Sequence, residues 1–233
     1  MFTTFILSGG LGTRLGSITE DVPKCLIPVN GKPFIHWQLE YLQEQGIKSV
    51  IICVGHLSEA VYEELKDKKN YDMKISFSND GNDLLGTGGA IRKALENFYV
   101  KNLFVLYGDS LLNIDMNDVS KAFISTDKPA LMTIIKNSND WDKNNINFYR
   151  NKILEYNKFK HSSDMKYIDY GLSVLSSSLL YQFPLGKKFE LSKLLNKISL
   201  SGDLQGYEVH QRFYEIGSLK GLRETENYLR RRN

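Results

Sequence analysis

Short runs of consecutive apolar residues alternate with segments of helical periodicity through the first half of the chain. The apolar runs predict buried strands at residues 2–7, 49–54, 74–78 and 103–107. The helical segments predict helices at about residues 33–45 and 87–98. A third helix is expected to begin with Ser58 as its cap and to carry Ala60, Val61 and Leu65 on its buried face. Strands that are apolar throughout and joined by helices indicate a largely parallel sheet with helices on both faces.

The pattern changes after Pro129, where strand-like segments follow one another closely. These segments lie at residues 130–135, 146–149, 153–156 and 168–175. Their spacing predicts hairpins and therefore a small antiparallel extension in the second half of the chain. Helices are expected again near 190–200 and 218–231, the second with Ser218 as its cap. We interpret the 233 residues as one α/β domain.

Composition narrows the class of protein. Hydrophobic residues make up 42% and charged residues 24%, and the net charge is +3, which does not indicate a nucleic-acid partner. The sequence shows neither a leader pattern nor an apolar run that approaches a membrane span, so we expect a cytoplasmic protein without a membrane partner. Cys25 and Cys53 have no metal-ligand spacing, and Cys53 reads as a core residue.

A glycine-rich turn follows the first strand and carries candidate phosphate-binding groups. Its sequence is Ser8-Gly9-Gly10-Leu11-Gly12-Thr13-Arg14, which is neither a Walker A motif nor a spaced GxGxxG. Glycines allow backbone N–H groups to approach phosphate oxygens closely. Pro23-Lys24 lies ten residues farther on, and Arg14 and Lys24 are cations of the kind that pair with a triphosphate.

These motifs, together with residues 26–35, resemble the signature of the sugar-phosphate nucleotidylyltransferases, and especially the D-glycero-D-manno-heptose 1-phosphate guanylyltransferase-like members. The resemblance implies a Rossmann-like core that binds the nucleotide at the carboxyl ends of the strands. It also implies a triphosphate-binding set of Ser8, Gly9, Gly10, Gly12, Thr13, Arg14 and Lys24. Gly86, Thr87 and Gly88 match the segment that opens a helix beside base and ribose, although Thr87 could instead be a helix cap.

Two acidic residues match the metal-binding positions of that family. Asp109 follows the apolar strand at Gly108, and the resemblance implies that it binds Mg²⁺. The second family ligand is an Asp in a late Asp-x-Gly segment, and here Glu215 stands in its place. Asp115 is a spare candidate that reads better as the cap of the following helix.

The acceptor end departs further from the family. Lys158 remains available to bind the sugar phosphate, while Asp169 and Gly171 stand where the family often has Asn-Ala-Gly. The segment 141–145 is polar around Trp141, and it either lines the acceptor site or forms a surface turn. We therefore expect a nucleotide-binding part at about 1–128 and a sugar-phosphate-binding part at about 129–233.

The resemblance implies an enzyme that transfers a nucleoside monophosphate from a nucleoside triphosphate to a sugar 1-phosphate, with Arg14, Lys24 and Asp109 as catalytic residues and Mg²⁺ as cofactor. The product would supply surface polysaccharide synthesis, with GTP and heptose 1-phosphate as the leading substrates. Two alternatives stay open: transfer from CTP to a non-sugar phosphate such as phosphocholine, and a non-catalytic regulator that binds sugar nucleotide. The expected partners are the nucleotide and a phosphorylated small molecule, and a homo-oligomer stays open.

Overall fold

A nine-stranded mixed sheet forms the centre of the described chain. The structure is a computed structural model that describes residues 2–10, 22–67, 71–81, 84–138 and 141–232. The strands of this sheet are β1 (Thr3–Leu7), β4 (Ser49–Val54), β5 (Lys74–Asn79), β6 (Asn102–Tyr107), β8 (Ala130–Lys136), β9 (Ile146–Tyr149), β10 (Lys152–Tyr156), β11 (Tyr167–Ser176) and β12 (Leu204–Val209). Four shorter strands form two separate ladders: β2 (Pro28–Val29) with β3 (Lys32–Pro33), and β7 (Ser110–Leu111) with β13 (Tyr214–Glu215).

The strand order is β5-β4-β1-β6-β11-β8-β12-β10-β9. The first four strands are parallel to one another, as the continuous apolar runs predict. Strand β11 is antiparallel to both of its neighbours, β6 and β8, and it joins the second half of the chain to the parallel part. The antiparallel strands of the second half therefore extend the same sheet.

Strand β12 was not predicted, and it inserts between β8 and β10, parallel to β8. Its sequence contains Gly206, which weakens the strand pattern because glycine is depleted in strands. The structure supplies the reason for this glycine. A Cβ atom at Gly206 would lie 2.5 Å from the ring of Phe148, so only glycine lets this ring pack over the strand.

Seven helices of the described chain cover the sheet. They are α1 (Phe34–Glu44), α2 (Ser58–Glu64), α3 (Gly86–Ala94), α4 (Met116–Ile124), α5 (Ser178–Tyr181), α6 (Leu191–Leu200) and α7 (Leu219–Arg232). Neighbouring strand residues contribute to two separate cores: Ile6 packs with α1, α2, α4 and α7, whereas Phe5 packs with α3, α5 and α6. The prediction of helices on both faces is thus confirmed.

Local details of three helices test the predicted caps. Helix α2 begins at Ser58, whose hydroxyl makes no cap bond and instead accepts from the Asn79 amide at 3.0 Å, so the Ser58 cap was wrong. Ala60 is exposed, also against expectation, while Val61 and Leu65 are buried.

The other two caps are confirmed. The Asp115 carboxylate accepts from the backbone N–H groups of Asn117 and Asp118 at the start of α4. The Ser218 hydroxyl accepts from the Gly221 N–H at 2.9 Å in the first turn of α7.

Candidate active site

A cleft of about 720 Å³ opens at the carboxyl ends of β1, β4 and β6. This edge is where ligands bind in open parallel sheets, because the connections leave a crevice there. Residues of the glycine-rich turn line one wall of the cleft, and residues that follow β6 line the next. Sequence motifs that are almost a hundred residues apart therefore face the same space.

The glycine-rich turn begins with backbone bonds to both neighbouring strands. The Ser8 N–H donates to the Cys53 carbonyl at 2.9 Å, and the Gly108 N–H donates to the Leu7 carbonyl at 3.0 Å. A Cβ atom at Gly108 would clash with the Ser8 hydroxyl, so glycine permits the close approach of the two strand ends. Ser8, Gly9 and Gly10 line the cleft as expected. The predicted site residues Gly12, Thr13 and Arg14 lie outside the described residues.

Lys24 and Asp109 meet in the cleft. Lys24 begins a single 3-10 turn after Pro23, and its ammonium nitrogen lies 2.6 Å from Oδ2 of Asp109. The Lys24 side chain is 16% exposed and that of Asp109 23% exposed, so the pair is held away from bulk water. Two predicted catalytic residues that are 85 positions apart in sequence therefore form an ion pair.

Glu215 reaches the same point through the β7–β13 ladder, which pairs it with Ser110. The Ile216 N–H donates to the Asp109 carbonyl at 2.9 Å and fixes this register. The Glu215 carboxylate accepts from the Gly217 N–H and, at 2.7 Å, from the Ser218 hydroxyl, both at the start of α7. The carboxylate is thus oriented by the helix N-terminus, whose dipole favours a negative charge.

The side chains of Lys24, Asp109 and Glu215 meet beside Gly217. A Cβ atom at Gly217 would lie 2.6 Å from Glu215 Oε2, 2.9 Å from Lys24 Nζ and 3.2 Å from Asp109 Oδ2. Both carboxylates and the ammonium therefore surround one small volume that glycine leaves open. No cluster of three or more His, Cys, Asp or Glu side chains forms a metal site within the described ranges. Any metal here would rest on the Asp109–Glu215 pair.

The segment 86–88 contributes to the cleft in a way that the sequence did not show. Gly86 has φ +73°, and a Cβ atom there would lie 2.7 Å from Oε1 of Glu190 and 2.8 Å from a backbone carbonyl oxygen. The Thr87 hydroxyl donates to Glu190 Oε2 at 2.8 Å and accepts from the Leu191 N–H at 2.8 Å. Thr87 therefore does not cap its own helix but the start of α6. Gly86 and Thr87 line the cleft, whereas Gly88 packs against the ring of Phe189.

The predicted acceptor residues come from the second half of the chain and face the same cleft. Lys158, Asp169 and Gly171 all line it. Gly171 has φ +106°, and its N–H donates to the Asp169 carboxylate at 2.9 Å. Burial raises the pKa of Asp169 above its ordinary value, while the Gly171 N–H and the Lys158 charge act in the opposite direction. The Tyr107 hydroxyl makes a long contact with the same carboxylate, at 3.4 Å.

Sequence reasoning missed several residues that the fold brings to the cleft, namely Asp80, Lys188, Glu190, Arg212, Lys220 and Glu224. Most of them come from the last fifth of the chain, which carries no phosphate-binding motif. One usable signal was Arg212, because a cation directly before the aromatic pair Phe213-Tyr214 and three residues before Glu215 is unusual for a solvated turn. Trp141 and Asp142 line the cleft, although both are exposed, and a role of segment 141–145 in acceptor binding stays a prediction.

A family model described as nucleotidyl transferase matches residues 3–144, which is more than half of the chain. The chain belongs to the nucleotidyl transferase family. The matched range includes the glycine-rich turn, Lys24, the segment 86–88 and Asp109. The predicted enzyme class, a nucleotidyltransferase, is therefore confirmed. A divalent metal is the cofactor that is typical of this family.

Individual relatives agree with this assignment. The chain is 37% identical over 194 residues to D-glycero-alpha-D-manno-heptose 1-phosphate guanylyltransferase of Campylobacter jejuni, with 82% of this chain and 84% of that protein covered. It is 28% identical over 226 residues to the protein of the same name from Aneurinibacillus thermoaerophilus, with 96% of each covered. The solved structure of HddC from Yersinia pseudotuberculosis superposes with a TM-score of 0.83 at 25% identity, covering 98% of this chain and 100% of that one. The Rossmann-like α/β prediction is confirmed.

The arrangement suits a nucleotidyl transferase, which needs charge complementarity more than covalent chemistry from its side chains. Transfer of a nucleotidyl group is catalysed mainly by positioning and by electrostatic stabilisation of phosphate charge. The cleft offers open backbone at the glycine-rich turn, the Lys24 ammonium and two carboxylates that could hold a cation.

Among the helices of the described residues, none is both long and apolar enough to cross a membrane.

Proposed function

We propose that the protein transfers a nucleoside monophosphate from a nucleoside triphosphate to a sugar 1-phosphate and releases pyrophosphate. The observation that carries this proposal is the meeting of Lys24, Asp109 and Glu215 beside the glycine-rich turn at the carboxyl edge of the sheet. The names of the two guanylyltransferase relatives support a sugar 1-phosphate as acceptor and GTP as donor.

The donor set of the cleft fits Mg²⁺. Mg²⁺ prefers oxygen ligands and is commonly held by one or two carboxylates together with substrate phosphates. Asp109 and Glu215 are such a pair, and the open volume beside Gly217 lies between them. A carboxylate has about four lone-pair sites, so Glu215 keeps acceptor capacity beyond its bonds to Gly217 and Ser218. When bound, the metal would neutralise phosphate charge.

The reaction balances without a general base. An anionic phosphate oxygen of the acceptor forms a bond to the α-phosphorus of the triphosphate, and the bond from that phosphorus to the bridging oxygen of pyrophosphate breaks. Lys24 binds α-phosphate oxygens and stabilises the charge that develops there. The backbone of Ser8, Gly9 and Gly10 orients the triphosphate, and Arg14 neutralises the leaving pyrophosphate.

We assign the two ends of the cleft to the two substrates. Residues up to about 128 bind the nucleotide, with Gly86 and Thr87 beside the base and ribose. Residues from about 129 onward bind the acceptor, where Lys158 holds its phosphate and Asp169 and Gly171 contact its hydroxyl groups. Surface polysaccharide synthesis is a use for the resulting sugar nucleotide.

A pyrophosphate-release assay tests this function. Four nucleoside triphosphates are crossed against sugar 1-phosphates, including D-glycero-D-manno-heptose 1-phosphate, and against phosphocholine. We expect Mg²⁺-dependent release that needs both substrates and is fastest with GTP and a sugar 1-phosphate. Release that occurs with phosphocholine, and with none of the sugar 1-phosphates, would support the non-sugar alternative. Nucleotide binding without release in any combination would support the regulatory one.

A further inference from the structure

An arginine that lines the cleft lies against two aromatic rings. The guanidinium carbon of Arg212 lies 5.7 Å from the ring centre of Trp141 and 5.0 Å from that of Tyr214. The same guanidinium forms an ion pair with Glu224 on α7. The Arg212 side chain is 35% exposed, and Trp141, Arg212 and Glu224 all line the cleft. The arginine is therefore held firmly while it still faces the cleft.

Aromatic contacts place this group next to the predicted acceptor residues. The ring of Phe213 lies 6.2 Å from that of Trp141 and 5.5 Å from that of Tyr170. Tyr170 is buried and directly precedes Gly171, which lines the cleft. Through Phe213 and Tyr170, the Arg212 group is thus connected to Gly171, one of the residues that we propose to bind the acceptor.

The chemistry of this group matches hydroxyl groups. A hydroxyl both donates and accepts hydrogen bonds, and the Arg212–Glu224 pair offers donors and an acceptor side by side. The guanidinium carries five N–H donors and contacts Glu224 through one terminal nitrogen, so it keeps donor capacity for a hydroxyl group. The indole of Trp141 adds an apolar surface for the C–H face of a sugar ring.

The same group disfavours a cationic acceptor. A quaternary ammonium binds best over an open aromatic face, where the ring quadrupole attracts a cation. Here the guanidinium of Arg212 already interacts with Trp141 and Tyr214. A trimethylammonium group would meet a like charge in place of an open face.

We propose that Arg212 determines acceptor specificity: together with Glu224 and Trp141 it binds the hydroxyl groups of a sugar ring and excludes a quaternary ammonium such as that of phosphocholine. This inference rests on the proposed transfer to a sugar 1-phosphate.

Steady-state pyrophosphate release tests the proposal in three variants of the full chain. Arg212→Gln removes the charge, Arg212→Lys keeps the charge but loses the planar fork, and Arg223→Gln changes an exposed arginine on α7 as a matched control. Each variant is assayed with the preferred triphosphate as donor and with two acceptors in turn, the best sugar 1-phosphate and phosphocholine. Binding of the triphosphate alone is measured by calorimetry.

For Arg212→Gln we expect kcat/KM with the sugar phosphate to fall about tenfold to hundredfold, the range for losing charged hydrogen bonds, and mostly through KM. Triphosphate affinity should stay unchanged, and the preference for sugar phosphate over phosphocholine should shrink. Arg212→Lys should also lose activity with the sugar phosphate yet still reject phosphocholine, because it keeps the positive charge. Arg223→Gln should behave as the wild type does.

Different results would overturn the role of Arg212 and the proposed transfer to a sugar 1-phosphate. A wild type that uses sugar phosphates, with a KM that both Arg212 variants leave within about twofold, overturns only the assignment of Arg212. A wild type that releases pyrophosphate with phosphocholine and with no sugar phosphate overturns the proposed function as well. If Arg212→Gln fails to fold, which its loss of triphosphate binding reveals, the Arg212→Lys variant decides the matter.

Discussion

The ion pair between Lys24 and Asp109 leads to a prediction in which metal binding and turnover change in opposite directions. In the free enzyme the Lys24 ammonium lies 2.6 Å from Oδ2 of Asp109. This oxygen and the Glu215 carboxylate both border the open volume beside Gly217. A divalent cation bound to Asp109 must therefore displace the ammonium or share the oxygen with it. Removing the ammonium by Lys24→Met should make metal binding tighter and should also slow turnover, because we propose that Lys24 stabilises phosphate charge.

The size of the effect follows from the geometry. At 2.6 Å and an effective dielectric constant of about 20, two unit charges attract by roughly 6 kcal/mol. The cost of removing both charges from water offsets most of this attraction. About 1.5–3 kcal/mol remains, which is the usual net contribution of a hydrogen bond to a charged group. Since about 1.4 kcal/mol corresponds to a factor of ten, the dissociation constant for the metal should fall about tenfold to hundredfold.

Metal binding is measured by titrating the nucleotide-free enzyme with Mn²⁺ and detecting the free ion by electron paramagnetic resonance. Turnover is measured separately as kcat for pyrophosphate release. We expect Lys24→Met to bind Mn²⁺ more tightly and to turn over about 10²–10³ times more slowly, the loss typical of one preorganised charge. Lys32→Met is the matched control, because Lys32 pairs with Glu40 at 2.5 Å and does not line the cleft. Unchanged or weaker Mn²⁺ affinity in Lys24→Met would refute the competition for Asp109.

Three further predictions concern acidic residues of the cleft. Asp109→Asn should abolish metal-dependent activity and leave the midpoint of thermal unfolding within a few degrees of the wild-type value. Full activity of this variant at limiting Mg²⁺ would show that Asp109 is not a metal ligand. Glu215→Asp should raise the Mg²⁺ requirement, because its shorter arm leaves a gap of about 1.5 Å in a geometry that Mg²⁺ tolerates poorly, and Glu215→Gln should raise it more. An unchanged requirement in both variants would assign Glu215 to helix capping alone. Burial raises the pKa of Asp169 above 3.8 in the fold, so the unfolded chain loses this proton first and stability falls as pH rises from about 4. Asp169→Asn should flatten that fall in denaturant titrations between about pH 4 and pH 7, and parallel curves for the two proteins would contradict the assignment.

Much of the fold was predictable because its strongest signals are local. The runs that form β1, β4 and β6 are apolar throughout, and strands buried on both faces need such runs. The chemistry proposed for the nucleotide was predicted through the family resemblance. The motifs that carry it, namely the glycine-rich turn, Pro23-Lys24 and Gly108-Asp109, are each short and contiguous in sequence.

The long-range contacts of the cleft were less predictable because they are formed by pairing between segments that are far apart in sequence. Glu215 reaches Asp109 only through the ladder between β7 and β13, and nothing local to either strand specifies that pairing. Thr87 shows the same limit, since its hydroxyl caps α6, about a hundred residues away. The sequence offered only a cap of its own helix as the structural alternative for Thr87, because side-chain caps are ordinarily local.

The sequence by itself thus determined the parallel half of the sheet, the family and the residues that we propose to bind the phosphates. Tertiary structure decided which charges are neighbours: that Lys24 lies against Asp109, and that Arg212 lies between Trp141 and Tyr214. The physical reason is the difference in range of the two kinds of information. Hydrophobic periodicity and turn chemistry act over a few residues. Electrostatic and aromatic contacts depend on distances of a few ångströms, which exist only once distant segments have packed together.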